Sequence, residues 1–268
     1  MEWDTDVSLY MPHFRNRLRR GQGLGVHAAY KPWLRVRDVP SRGTSSIVRG
    51  IRTSRSVHLL SKIETTYFFL LERRRTTQDC REQFPILEIT RTLELCEELG
   101  VRHPHKGFYP EPFTIDFMVT ELIDGKPYFR AASIKTPNDA TNPSVLNRLA
   151  VEHRWCAEHN IPWTLVDTSA FDDTLLKNLR FMRAWFLHRH IPDYPQAIRF
   201  AACFLDIYRR NTLLDEIVHD VCQRLHLPIN SGHDTFRFCA WSGLIPISLS
   251  HGLALNLPLV LRNVQNTH

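Results

Sequence analysis

Leu60, Ile63, Tyr67 and Leu71 recur at helical spacing in SVHLLSKIETTYFFLLERRR, residues 56–75, and predict one helix across the stretch, with Arg73 to Arg75 at the C-terminal end that favours cations. Glu64 falls on or beside that stripe, four residues after Leu60 and four before Phe68, so its carboxylate is expected near the core unless it snorkels outward. EQFPILEI (82–89) predicts a short buried strand, with Pro85 pointing to an edge or an irregular entry. RTLELCEELG (91–100) predicts a helix closed by Gly100. Two strands follow, 113–120 and 128–135, with Asp124-Gly125 supplying hairpin turn chemistry between them. After the loop TPNDATNP come a helix at about 144–159, a strand at 161–167 and a helix at 172–187. Val145, Leu149 and Cys156 line the first of these helices, and Glu152 lies within that line. The pattern is an α/β core, a mixed sheet flanked by helices on both sides.

The hairpin permits a geometric step. A two-residue turn at Asp124-Gly125 makes paired positions add to 249, which sets Asp116 opposite Ser133 and leaves Lys135 as a diagonal neighbour on the same face. Thr114, Met118 and Ala131 share that face, while Ile115, Phe117 and Val119 point into the expected core. A carboxylate on a half-buried sheet needs a cationic or hydrogen-bonding partner, and Lys135 is the one within reach.

From about residue 190 the pattern changes. PQAIRFAACFLDIYRR, TLLDEIVHDVCQRLHL and HDTFRFCAWSGLI predict three short helices, and ISLSHGLALNLPLVL a small wing of strands, together a winged-helix-like C-terminal module. The expected domains are a basic N-terminal segment (1–55) contributing to the α/β core (56–188), and the winged-helix-like C-terminal domain (189–268).

With 268 residues and 43% hydrophobic content the chain can bury one substantial core and a smaller second one. No apolar run approaches the roughly 20 residues of a bilayer helix, and six scattered cysteines without a C-x-x-C pair suit reduced thiols, so a cytoplasmic protein is expected. Residues 1–80 hold 15 Lys/Arg against 7 Asp/Glu, a net +8, whereas the remainder nets −2. Arg15, Arg17, Arg19, Arg20, Lys31, Arg35, Arg37 and Arg42 lead this basic front, Arg49, Arg52 and Arg55 continue it, and Tyr30 and Trp33 lie between them. Such a strip fits the phosphates of DNA, and on charge alone fits a solvated basic tail equally well. His219, Cys222 and His226 share a helix but lack a fourth ligand, and His153, Cys156 and His159 are explained by an apolar stripe, so no zinc is expected.

Three acids on apolar surfaces (Glu64, Asp116, Glu152) and one lysine (Lys135) have a joint chemical sense. Carboxylates hold hard divalent cations for phosphodiester hydrolysis, and a lysine orients water or stabilises the transition state. Each acid alone is better explained by structure, and Asp116 with Lys135 as an ordinary cross-strand ion pair.

LLSKIE (59–64), REQFPIL (81–87), TIDFMV (114–119), SIKTP (133–137), Glu152, IPW (161–163) and YKPWLRVRDVPSRG (30–43) together resemble TnsA. That is the endonuclease subunit of heteromeric TnsABC-type transposases, with a restriction-endonuclease-like PD-(D/E)xK fold. The likeness spans roughly residues 22 to 187. It implies that Glu64 and Asp116 are metal ligands, joined by the backbone carbonyl of Ile134, that Lys135 is the catalytic lysine, and that Glu152 is a further acid of the site. It further implies Mg2+ in a two-metal site, with Mn2+ able to substitute. The implied substrate is double-stranded DNA at transposon 5′ ends, and the implied partners are a TnsB-like DDE transposase and a TnsC-like AAA+ ATPase, the latter through the C-terminal domain, in a bacterial cytoplasm with no membrane. One position departs from the pattern: Ser133 stands where the fold usually has Glu or Gln. An active nuclease is expected, the alternative being a catalytically impaired assembly scaffold of the same complex.

Overall fold

The computed structural model describes residues 7–39 and 44–262. The chain divides into two units, 1–169 and 170–268. The first begins with a short helix, α1 (Pro12–Arg19), whose proline sits in the opening turn where a missing N–H costs nothing. Tyr10, Phe14 and Trp33 are at most 2% exposed and pack on Leu87 and Ile89, and the Tyr10 hydroxyl donates to the Leu87 carbonyl at 2.7 Å. Gly23 lies at φ +79°, where a Cβ would come within 2.5 Å of the Pro85 ring, so only glycine allows this approach. The front of the chain is therefore no solvated tail over its described residues. Its aromatic residues, expected among exposed basic ones, anchor it: Tyr30 is also 2% exposed and donates its hydroxyl to the Glu82 carbonyl.

The expected helix over 56–75 splits in two. β1 (Ser46–Arg49) pairs antiparallel with β2 (Ser56–Leu59), and only then does α2 (Lys62–Arg73) begin. Ser61 caps it, its Oγ accepting from Glu64 N at 3.2 Å, so the helix starts where a side chain can satisfy its free N–H groups. There follow β3 (Thr77–Pro85), α3 (Ile89–Glu98), the short pair β4 (His105–Lys106) and β5 (Tyr109–Pro110), β6 (Thr114–Ile123), β7 (Lys126–Ile134), α4 (Pro143–Glu158) and β8 (Trp163–Val166).

The main sheet has the order β3-β6-β7-β8, antiparallel except for the parallel β7–β8 pair. It is the mixed sheet the sequence predicts, and Pro85 indeed closes an edge strand. Asp124 and Gly125 both have positive φ, +50° and +75°, and set β6 on β7 with Phe117 opposite Ala132, the predicted register. Both faces of the sheet are core, where one was expected. Phe117 packs against Tyr67 and Phe68 of α2, with ring centroids 5.5 and 6.5 Å away. Met118 and Ala131 join Leu95 of α3 and Val151, Trp155 and Cys156 of α4. The strand therefore reads as a nearly continuous apolar run, as buried strands do.

The second unit contains α5 (Asp173–Leu187), α6 (Tyr194–Ile207), α7 (Leu214–Leu225) and α8 (Ile229–Ser242). The three predicted helices are α6 to α8. α5 packs on α8, so it counts with this unit rather than with the core to which the expected 188/189 boundary assigns it. In place of a wing of strands, the segment after α8 has single bridges, Ile247 to Leu261 and Leu213 to Pro258. Asn178 holds it, donating to the Leu249 and His251 carbonyls and accepting from Leu253 N. No helix among the described residues is long and apolar enough to cross a membrane.

Arg55, expected in the basic strip, is 7% exposed and clamps Glu82 with both guanidinium arms at 2.8 and 2.6 Å. The same side chain donates to the carbonyls of Cys80 and His27, and Glu82 also accepts from His58 N, so one ion pair fixes β2, β3 and the N-terminal segment together. Removing one partner leaves a buried charge unpaired. Arg55→Ala should cost about 3–5 kcal/mol in urea-unfolding stability; a reduction below about 1 kcal/mol would show that water reaches Glu82 freely.

Candidate active site

Asp116 is the third residue of β6 and is 9% exposed. Its Oδ2 accepts from Ile134 N and from Lys135 Nζ, both at 2.6 Å. Lys135 follows the last residue of β7, its Nζ also lies 3.2 Å from the Ile134 carbonyl, and its own carbonyl accepts from Thr168 Oγ1 at 2.7 Å. Burial works against the ammonium, yet the carboxylates of Asp116, Glu152 and Glu64 outweigh it and hold the Lys135 pKa above its ordinary value. Lys135 is therefore a fixed cation at neutral pH, an electrostatic group rather than a proton acceptor.

Glu64 stands at the third position of α2, where it completes a capping arrangement with Ser61. Ser61 Oγ donates to Oε1 and Leu60 N to Oε2, both at 2.9 Å. Burial, then the negative field of Asp116, pushes the Glu64 pKa up to about 7. On the other side, Glu152 of α4 is 5% exposed and accepts from Ser133 Oγ at 2.6 Å, while Trp163 Nε1 donates to the same Oγ at 3.2 Å. Burial, followed by Asp116, raises Glu152 to about 7 as well. Ser133 is fully buried, so it has no room to act as a ligand itself; it orients the acid that α4 brings in. All the sequence-derived acids and the lysine thus act on one another around Asp116.

Ser61, Trp163 and Thr168 also shape the site, although sequence reasoning does not single them out as functional. S-x-x-E at 61–64 is a readable capping signature, whereas Trp163, Thr168 and the fully buried state of Ser133 leave no local signal.

The oxygens of Glu64, Asp116 and Ile134 are hard donors, the chemistry a magnesium-sized cation takes, and the two carboxylates repel one another unless a cation or proton intervenes. Among the described residues no three His, Cys, Asp or Glu side chains gather closely enough to hold a metal by themselves. The acids fit a site completed by a carbonyl, water and substrate. Cys222 is buried and Cys156 fully so, each taken up in packing.

The basic residues divide. Arg15 donates to the carbonyls of Tyr10 and Ser8, and Arg17 to that of Trp33, over whose ring it also stacks. Arg35 is half-buried, whereas Arg19, Arg20, Lys31 and Arg37 are exposed or half-exposed; Lys31 Nζ lies 2.8 Å from the Arg20 carbonyl. Arg42 lies outside the described residues.

Residues 74–168 match the family model described as TnsA-like endonuclease N terminal. Over that stretch the chain is similar to TnsA-like endonucleases. It is 30% identical over 166 residues to the transposon Tn7 transposition protein TnsA of Escherichia coli, covering 62% of this chain and 60% of that protein's length. Asp116, Ser133, Lys135, Glu152 and Thr168 all lie within the TnsA-like match, and Glu64 ten residues before it.

The raised acids carry a pH signature. An acid whose pKa rises from 4.5 unfolded to about 7 folded binds more protons in the native state, so its stabilising effect is full below about pH 4.5 and disappears as pH rises through about 7. Metal-free protein should lose urea stability between about pH 4.5 and 7. Glu152→Gln should flatten that slope; an identical slope in the variant would mean Glu152 is already ionised in the fold.

Proposed function

We propose that the protein is a Mg2+-dependent DNA endonuclease on a restriction-endonuclease-like core, which cleaves the 5′ ends of a transposon during cut-and-paste transposition. The observation that carries this reading is the Asp116 carboxylate, bonded at 2.6 Å to Lys135 and surrounded by two further buried acids on a TnsA-like chain.

Glu64 and Asp116, with the Ile134 carbonyl, would hold the cation. Bound there, it supplies charge neutralisation and an acidified water; Mn2+ has the same oxygen preference. Lys135, charged at neutral pH, stands ready to stabilise negative charge on a phosphoryl oxygen. Glu152, raised to about 7 chiefly by burial, serves as a group that takes up or releases a proton near neutral pH, and Ser133 keeps its carboxyl oriented by a hydrogen bond. The capping arrangement fixes Glu64 on the first turn of α2, which spares the entropy of ordering it when substrate arrives.

Arg19, Arg20, Lys31 and Arg37 are best placed by exposure to meet DNA phosphates, with Arg15, Arg17 and Arg35 as supports and Arg42 as a further candidate. The partners would be a TnsB-like DDE transposase and a TnsC-like AAA+ ATPase, the latter engaging the C-terminal unit, in a cytoplasmic assembly. A second reading, a scaffold that no longer cuts, draws on the capping role of Glu64, which alone explains that acid.

Strand-resolved cleavage of transposon-end DNA in Mg2+, with the partner proteins present, separates the two. Asp116→Ala should abolish 5′ cuts, a reduction of at least about 100-fold, while partner-made 3′ cuts persist. Absence of 5′ cuts with the unaltered protein as well would leave the scaffold. Separately, neutralising Arg19, Arg20 and Arg37 should reduce the slope of log affinity against log salt by about 0.9 for each DNA phosphate these side chains neutralise; an unchanged slope excludes this surface.

A further inference from the structure

Gln83 has a backbone φ of +47° within β3, a conformation in which a non-glycine side chain is strained. The ladder on β6 keeps one register on either side of it, with Glu82 opposite Phe117 and Phe84 opposite Ile115. Gln83 therefore lies across from Asp116. The bend is fixed from several directions: Trp33 N donates to the Gln83 carbonyl at 3.3 Å, Tyr30 donates to the Glu82 carbonyl, and Arg55 clamps the Glu82 side chain. Glycine would make the same bend without strain. The chain instead carries a long amide here, 3% exposed, for which none of the described residues supplies a hydrogen bond. Its amide atoms are not among the fully enclosed, unbonded ones of the described residues, so they reach solvent and stand open to a partner from outside the chain.

We propose that Gln83 is a further substrate-binding residue, its amide N–H groups donating to a phosphate oxygen of the DNA strand held beside Asp116. This rests on the nuclease reading. The residue type suits the place: Glu64 and Glu152 already feel the charge of Asp116, and a third carboxylate would repel phosphate, whereas an amide donates without adding charge.

Gln83→Gly separates side chain from strain, because it keeps the bend and removes only the amide. Gln83→Asn retains an amide on a residue that tolerates positive φ. Three readouts apply: thermal unfolding, affinity for end DNA in Ca2+, and single-turnover 5′ cleavage in Mg2+ with the partners present. The glycine variant should melt at or above the temperature of the unaltered protein, bind about 5-fold more weakly and cut at least about 10-fold more slowly, with partial recovery in the asparagine variant. Unaltered affinity and cutting in Gln83→Gly would overturn the proposal. Should the unaltered protein cut no better than Asp116→Ala, the nuclease reading fails on its own, and the Ca2+ affinity still decides Gln83: a weakened glycine variant supports the phosphate interaction and an unchanged one rejects it.

Discussion

A carboxylate inside a packed sheet needs donors, and for Asp116 the architecture supplies them from one place. The β6–β7 hairpin delivers Ile134 N and Lys135 Nζ to a single oxygen, both at 2.6 Å. The remaining acids take their character first from burial and then from the field of Asp116. Glu64 and Glu152 are buried on different helices, yet both are pushed to about 7, with Asp116 the second cause after burial in each case. A site in which two acids are raised to about 7 differs from three equivalent carboxylates: those two are able to respond to a proton or a cation near neutral pH.

That arrangement depends on a framework that itself contains buried charge. Arg55 and Glu82 lock the strand beside β6, and the N-terminal segment is tied to the same strand and its continuation by Tyr10, Tyr30 and Trp33. Buried ion pairs contribute little net stability against an apolar substitute, but their geometry admits few alternatives. Here the pair ties β3 to β2 and to the N-terminal segment beside the strained turn at Gln83, while the β3–β6 ladder sets that turn across from Asp116.

Much of this is legible in the sequence where local rules decide the outcome. Asp124-Gly125 determines a two-residue turn, the turn determines the register, and the register brings Asp116 to Lys135; each step is short-range. The start of α2 is not legible in the same way, because Leu59 and Leu60 continue a helical stripe, while strand pairing with β1 and the Ser61 cap override that periodicity. Charge alone cannot resolve the basic front, since it does not distinguish an exposed arginine from Arg55 or Arg17, whose partners are remote in sequence. Ser133 looks like a missing ligand in the sequence, and only the fold shows that Glu152, 19 residues on, bonds to it at 2.6 Å. The TnsA-like motifs lie in the first unit, whereas the helical second unit carries little beyond its helix periods.

The most direct test of the central claim, that Asp116 anchors a cation-binding hydrolytic site, is a Mn2+ titration followed by electron paramagnetic resonance, comparing the protein with Asp116→Asn. Asparagine keeps the size and an acceptor oxygen but removes the charge. The account predicts saturable Mn2+ binding near neutral pH that vanishes, or weakens at least about 10-fold, in the variant. Equal binding by both proteins would contradict it and leave Asp116 and Lys135 as a structural ion pair.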